Sequence, residues 1–210
     1  MSKFNLKWSF GNRKVTKLDA VSFGIPAFES ASGFKTCPQA GTCASVCYAR
    51  QGTYTWPATK KAREFNLERT RLGNAFEDIA CKDLAKIKQS IIRIHDSGDF
   101  YSQNYLNAWI NIAWANPNKI FYAYTKSLNL NFTCAPSNMR ITQSQGGKLD
   151  DKIDYSKPHS RIFASIEARE KAGYVDGNEN DSPAINGEIK IGLVYHGVKK
   201  LTEAQNKHFQ

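Results

Sequence analysis

Three of the chain's five cysteines, Cys37, Cys43 and Cys47, fall within eleven positions of one stretch, CPQAGTCASVCYA. Thiolates this close in sequence can face a common centre. Pro38 and Gly41 supply turn chemistry, and the small residues Ala40, Ala44 and Ser45 leave room for an inorganic core of the kind soft sulfur ligands select. Structural zinc sites close their tetrahedron with a fourth protein ligand, usually through paired short spacings, and C-x5-C-x3-C with three cysteines matches that poorly. An iron–sulfur cluster with one iron left open matches better. The alternatives are packing cysteines, a redox pair, or a zinc site completed by Cys81, Cys134 or a distant histidine.

Further chemistry-bearing groups follow short apolar runs. In IIRIHDSGDF, Asp96 and Asp99 flank the turn residues Ser97 and Gly98; either carboxylate can accept from an ammonium group or bind a metal, and either can simply cap a turn. Strand alternation sends His95 to the face opposite Asp96, which predicts a neutral, hydrogen-bonded core histidine. Tyr124, Thr125 and Lys126 leave another run, where the lysine suits a carboxylate or phosphate or is an ordinary exposed lysine. Gln143 and Ser144, and further on Ser165 and Glu167, are candidates for holding a ribose or substrate. Tyr48 and Tyr54 are candidates for stacking on a base or for shielding a cluster from water. Cys81 falls on the apolar face of a predicted helix and reads as core, whereas Cys134, in NFTCAPS, is a candidate fourth ligand.

These groups need a scaffold. Six short strands are predicted, in Leu18–Pro26 and at Ile91, Ile120–Tyr124, Met139, Ile162 and Ile191, each opening into polar residues. Helices are predicted over Ala58–Leu72, over Ala75–Gln89 with Phe76, Ile79, Ala80, Leu84 and Ile87 on one face, and through SQNYLNAWINIAWANP, which Asn116 and Pro117 stop. Alternating strands and helices predict an α/β sheet with mostly parallel strands, and in such sheets ligands bind at the strand C-terminal ends. The cysteine loop, HDSGD, YTKS, TQSQGG, SIEAR and YHG then share one rim. Residues 173–187, GYVDGNENDSPAING, are polar and turn-rich and predict a flexible loop.

At 210 residues the chain suits a single domain, divided here into an arm at 1–17, a main body at 18–200 with its cysteine loop at 37–47, and a tail at 201–210 expected to form a short helix. Trp8 and Phe10 are candidate anchors for the arm. No apolar run reaches the roughly 18 residues needed to span a bilayer, and MSKFNLKWSFGNRK has no signal-peptide core, so a cytoplasmic protein with no membrane partner is expected. Clustered, odd-numbered cysteines there favour metal binding over disulfides. The net charge of +10 favours an anionic partner such as a nucleotide or nucleic acid, although the basic residues are spread, with groups at Lys60–Lys61–Arg63, Arg69–Arg71 and Lys199–Lys200.

CYAR, RIHDSGDFYSQNYLNAW and IFYAYTKSL together resemble the phage gene-product-eighty-eight family and, more distantly, another three-cysteine phage family, over roughly residues 19–167. These families are similar to compact radical S-adenosylmethionine enzymes. The resemblance implies a partial (β/α)6 barrel with Cys37, Cys43 and Cys47 holding a four-iron four-sulfur (4Fe-4S) cluster. It further implies S-adenosylmethionine on the open iron, reductively cleaved to a 5′-deoxyadenosyl radical that takes hydrogen from a substrate. The residues expected to bind that cofactor are Tyr48, Asp96, Ser97, Gly98, Asp99, Tyr124, Thr125, Lys126, Ser144, Ser165 and Glu167. The cysteine spacing departs from the usual C-x3-C-x2-C, and Asp96–Asp99 replace the usual glycine-rich motif. A radical-type enzyme acting on a nucleotide, nucleic acid or host macromolecule is therefore expected. The alternative is a non-enzymatic nucleic-acid-binding protein stabilised by a cluster or zinc, and inhibition of a host protein is a third possibility without a sequence feature of its own.

Overall fold

The computed structural model describes residues 4–11, 17–195 and 202–203. Its centre is a curled parallel sheet of seven strands: β1 (Ala20–Phe23), β2 (Ile91–Ile94), β3 (Ile120–Thr125), β4 (Met139–Ser144), β5 (His159–Phe163), β6 (Val175–Asp176) and β7 (Lys190–Val194). The order is β1-β2-β3-β4-β5-β7-β6, so the sheet forms a half-barrel. The helices are α1 (Cys43–Val46), α2 (Pro57–Thr70), α3 (Asn74–Leu84), α4 (Gln103–Ala115), α5 (Ile166–Lys171) and α6 (Ser182–Asn186).

Local chemistry explains the boundaries. Pro57 opens α2, where a missing N–H costs nothing, and Gly73, at φ 59°, makes the turn into α3. Ser102 caps α4 by accepting from the Tyr105 N–H, and Asn116 ends it. The two-residue period of each strand then sorts its side chains. On β2 and β3, Ile92, Ile94, Phe121 and Ala123 join Phe76, Ala80, Leu84 and Trp109 in the main core beneath α3 and α4. The alternate residues, Ile91, Arg93, Tyr122 and Tyr124, face the hollow of the half-barrel.

Two expectations need correction. The sheet has a seventh strand, since Val175–Asp176 is too short and exposed to announce itself by pattern. Residues 173–187 are also not a free loop. Asn178 uses its side chain as a strand edge, bonding both the N–H and the C=O of Val194 at 2.6 and 2.8 Å. Beyond it, Ala184 and Ile185 of α6 pack on Tyr122 and Ile191 and plug the hollow at the strands' N-terminal half.

Residues 4–11 dock through Asp83, whose carboxylate accepts from the N–H groups of Asn5 and Leu6 and from Trp8 Nε1. Trp8 is thus an anchor; Phe10 is exposed, stacked on Phe4. Of the predicted tail, only residues 202–203 are described, and His196, Gly197, Lys199 and Lys200 lie outside the described residues. Among the described residues no helix is long and apolar enough to cross a membrane.

Candidate metal and cofactor site

The hollow left by α6 opens at the C-terminal ends of the strands as a cavity of about 390 Å³, and Cys37, Cys43 and Cys47 all line it. The loop that carries them is clamped from two sides. Cys37 Sγ accepts from the Phe28 N–H at 3.3 Å. The Gly41 and Cys43 N–H groups both donate to Gly146 O, and a Cβ on Gly41 would sit 2.8 Å from Gly147 C, so that approach requires glycine. Asp150 in turn gathers the Gly146 and Gly147 N–H groups, each at 2.8 Å. The TQSQGG rim thus meets the cysteine loop as its place in the chain predicted.

The HDSGD segment divides into distinct roles. His95 is buried at φ 65°, its Nε2 is 2.8 Å from the Tyr105 hydroxyl, and burial pulls its pKa down to about 3, so it is the neutral core histidine expected. Ser97 Oγ donates to Ile25 O, and Gly98, at φ 88°, leaves room for the Ile25 side chain. Asp99 accepts from Thr125 Oγ1 at 2.7 Å and from the Phe100 and Lys126 N–H groups, which ties β2 to the end of β3; burial nevertheless raises its pKa. Asp96 is different. Its Oδ2 accepts from Arg63 Nη2 at 2.6 Å and from Ser22 Oγ, while Oδ1 is buried without a hydrogen-bond partner in a residue that lines the cavity. Gly24 permits this pair, since a Cβ there would stand 2.2 Å from Asp96 Oδ1.

Lys126 Nζ donates to Ser144 Oγ at 2.6 Å, and both residues line the cavity. Tyr124 lines it too, with its hydroxyl buried and unpartnered. Tyr48 closes one wall, donating to Asp96 O at 2.6 Å and accepting from Arg93 Nη2; burial pushes its phenol up to about 12. Other candidates stand outside. Thr125 lies behind Asp99, Gln143 bonds the backbone of Asp154, Ser165 caps α5 by accepting from the Ala168 N–H, and Glu167 is exposed. The last two miss the cavity because β5 ends at Phe163 and α5 turns the chain outward.

Arg63, Arg93 and Asp181 also matter here. Arg63, part of the basic group Lys60–Lys61–Arg63, is buried against Asp96. Arg93 Nη1 pairs with Asp181 Oδ2 at 2.8 Å, and the Tyr122 hydroxyl donates to the same oxygen. A single arginine inside the apolar run IIRIH was the available signal for Arg93. Nothing local marked Asp181.

No three His, Cys, Asp or Glu side chains among the described residues close on one point as they would around a single metal ion. Cys37, Cys43 and Cys47 nonetheless share the wall of one cavity. Cys81 sits on α3 beside Asn116, and Cys134 is exposed near Trp114; neither lines the cavity. Burial pushes the Cys37 thiol up to about 12, with Asp99 adding to the effect, and burial raises Cys47 as well. Near neutral pH Cys37 and Cys47 are therefore thiols rather than thiolates.

A family model described as Gene product 88 matches residues 4–209. The chain belongs to the gene product 88 family. The Gene 88 protein of Mycobacterium phage L5 is 30% identical, over 63% of this chain and 63% of its own length. That of Mycobacterium phage D29 is 29% identical, over 61% of this chain and 62% of its own. This gene product 88 chain therefore matches less than two thirds of either phage relative. No solved structure matches it.

Proposed function

We propose that this gene product 88 family member is an iron–sulfur protein of the radical S-adenosylmethionine type, acting on a nucleotide, nucleic acid or host macromolecule. The observation that carries the reading is the convergence of Cys37, Cys43 and Cys47 on one cavity at the C-terminal ends of a parallel half-barrel, beside Asp96 and Lys126. Bound there, a four-iron four-sulfur cluster supplies an electron for reductive cleavage and an open iron for a bidentate ligand. The chain's own groups do the positioning. Asp96, buried against Arg63 and Ser22 with Oδ1 lacking a hydrogen-bond partner, supplies the carboxylate that meets an ammonium group. Lys126, steered by Ser144, meets a carboxylate or phosphate. Tyr48 screens the wall between the cysteine loop and Arg93.

The test is anaerobic purification followed by iron and sulfide analysis, then reduction in the presence of S-adenosylmethionine with assay for 5′-deoxyadenosine. Iron with sulfide and released 5′-deoxyadenosine is the expected result. Iron without cleavage removes the enzymatic half of the reading, and zinc without sulfide removes both halves. The net charge of +10 favours a second reading, a metal-stabilised nucleic-acid-binding protein without catalysis. Affinity for nucleic acid that falls steeply with salt, in protein that never cleaves S-adenosylmethionine, selects it.

A further inference from the structure

A second cavity, about 330 Å³, lies outside the cysteine loop between residues 26–31 and the start of α2, and shares Ala27, Ala49, Tyr54 and Ser97 with the first. Arg50, Lys60 and Arg63 line it. Of the two carboxylates present, Glu29 pairs with Lys35, while Glu64, whose Oε1 accepts from the Ala31 N–H at 2.7 Å, keeps its charge and leaves the cations in excess. Arg63 is more than nine-tenths buried, with Nη2 on Asp96 and Nε without a partner. The first turn of the 14-residue helix α2 adds to the positive field, because Trp56 offers no side-chain cap and the turn carries no acidic residue. Next to this basic recess stands Trp56, 61% exposed, and the Arg50 guanidinium lies 5.1 Å over the Phe28 ring.

An exposed indole at the head of a helix whose next turn presents a lysine into a basic recess is the combination that holds one nucleotide: a π face for any base and a cationic pocket for its phosphate. We propose that this second cavity binds the phosphate of a nucleotide, free or within a single strand, through Lys60, Arg50 and the first turn of α2, while the base stacks on Trp56. The site thereby names the substrate class for the adjoining cavity and rests on the proposed function only in that respect; phosphate binding here needs no cluster.

The experiment is fluorescence anisotropy of the full chain with a labelled single-stranded oligodeoxythymidine over a salt series, with thymidine monophosphate and inorganic phosphate as competitors. Iron is quantified on the same sample. Trp56→Ala is expected to weaken binding on the order of tenfold, and Lys60→Ala to reduce the slope of log K against log salt by about 0.7. Lys171→Ala, on exposed α5, is expected to change neither. Competition by the mononucleotide marks a free nucleotide as the source, and competition by the strand alone marks nucleic acid. No binding, a Trp56→Ala variant with unchanged affinity, or a Lys60→Ala variant with unchanged slope overturns the proposal. Full iron content with no binding defeats this site alone, whereas intact binding without iron defeats the cluster reading alone.

Discussion

Asp96 and Asp99 stand three positions apart and do opposite work. Asp99 spends its oxygens on Thr125 and on two backbone N–H groups, so it fastens the rim; Asp96 leaves one buried oxygen without a hydrogen-bond partner. The cysteines divide in the same way. Cys37→Ser, Cys43→Ser and Cys47→Ser, purified without oxygen, should each lose iron and sulfide, because the group they hold would be left with two thiolates. Cys81→Ala and Cys134→Ala should keep the wild-type content, since neither side chain lines the cavity. Iron retained by the first three variants, or lost from the last two, contradicts the assignment of ligands.

The element with the largest discrepancy between local pattern and structure is 173–187. Its glycines, its asparagines and Pro183 carry the composition of a loop, yet it delivers Asp181 to Arg93 in the middle of the half-barrel, with both side chains at least nine-tenths buried. Removing one partner strands the other charge. Asp181→Leu alone should therefore cost about 3–5 kcal/mol in urea unfolding, and adding Arg93→Met should restore most of it, because apolar residues of similar size replace a buried pair at little net cost. A loss below about 1 kcal/mol for the single variant would mean that the segment is not docked.

For the molecule as a whole, acid should act through His95. The unfolded chain takes this proton near pH 6.5 and the folded chain only near 3, so between those values the unfolded state binds more protons and stability falls as pH drops. Asp99 opposes the trend, since its raised pKa lets the folded state take a proton first. Between pH 7 and pH 5 the histidine dominates, and wild type should lose about 2 kcal/mol that a His95→Asn variant does not lose. Asparagine tolerates the positive φ of that position, so the variant isolates the proton. Equal losses in the two proteins would mean that His95 is protonated in the fold.

Several features were legible without coordinates, for a local reason. Apolar alternation set β1 to β5 and β7, helical spacing set α2 to α4, and the C-x5-C-x3-C spacing set three cysteines in one loop, because period and turn chemistry act over a few residues. The convergence of Cys37, Asp96, Lys126 and Ser144 followed from strand order alone, since parallel strands bring their C-terminal ends to one side. Tertiary structure decided the rest. Arg63 looks like its neighbour Lys61 until Gly24 lets Asp96 approach it, Ser165 looks like a ligand until it caps α5, and Asp181 looks like loop until it meets Arg93. Each of those outcomes depends on a partner 3 to 88 positions away, and the two buried ion pairs, which span 33 and 88 positions, leave no periodic trace in the chain that carries them.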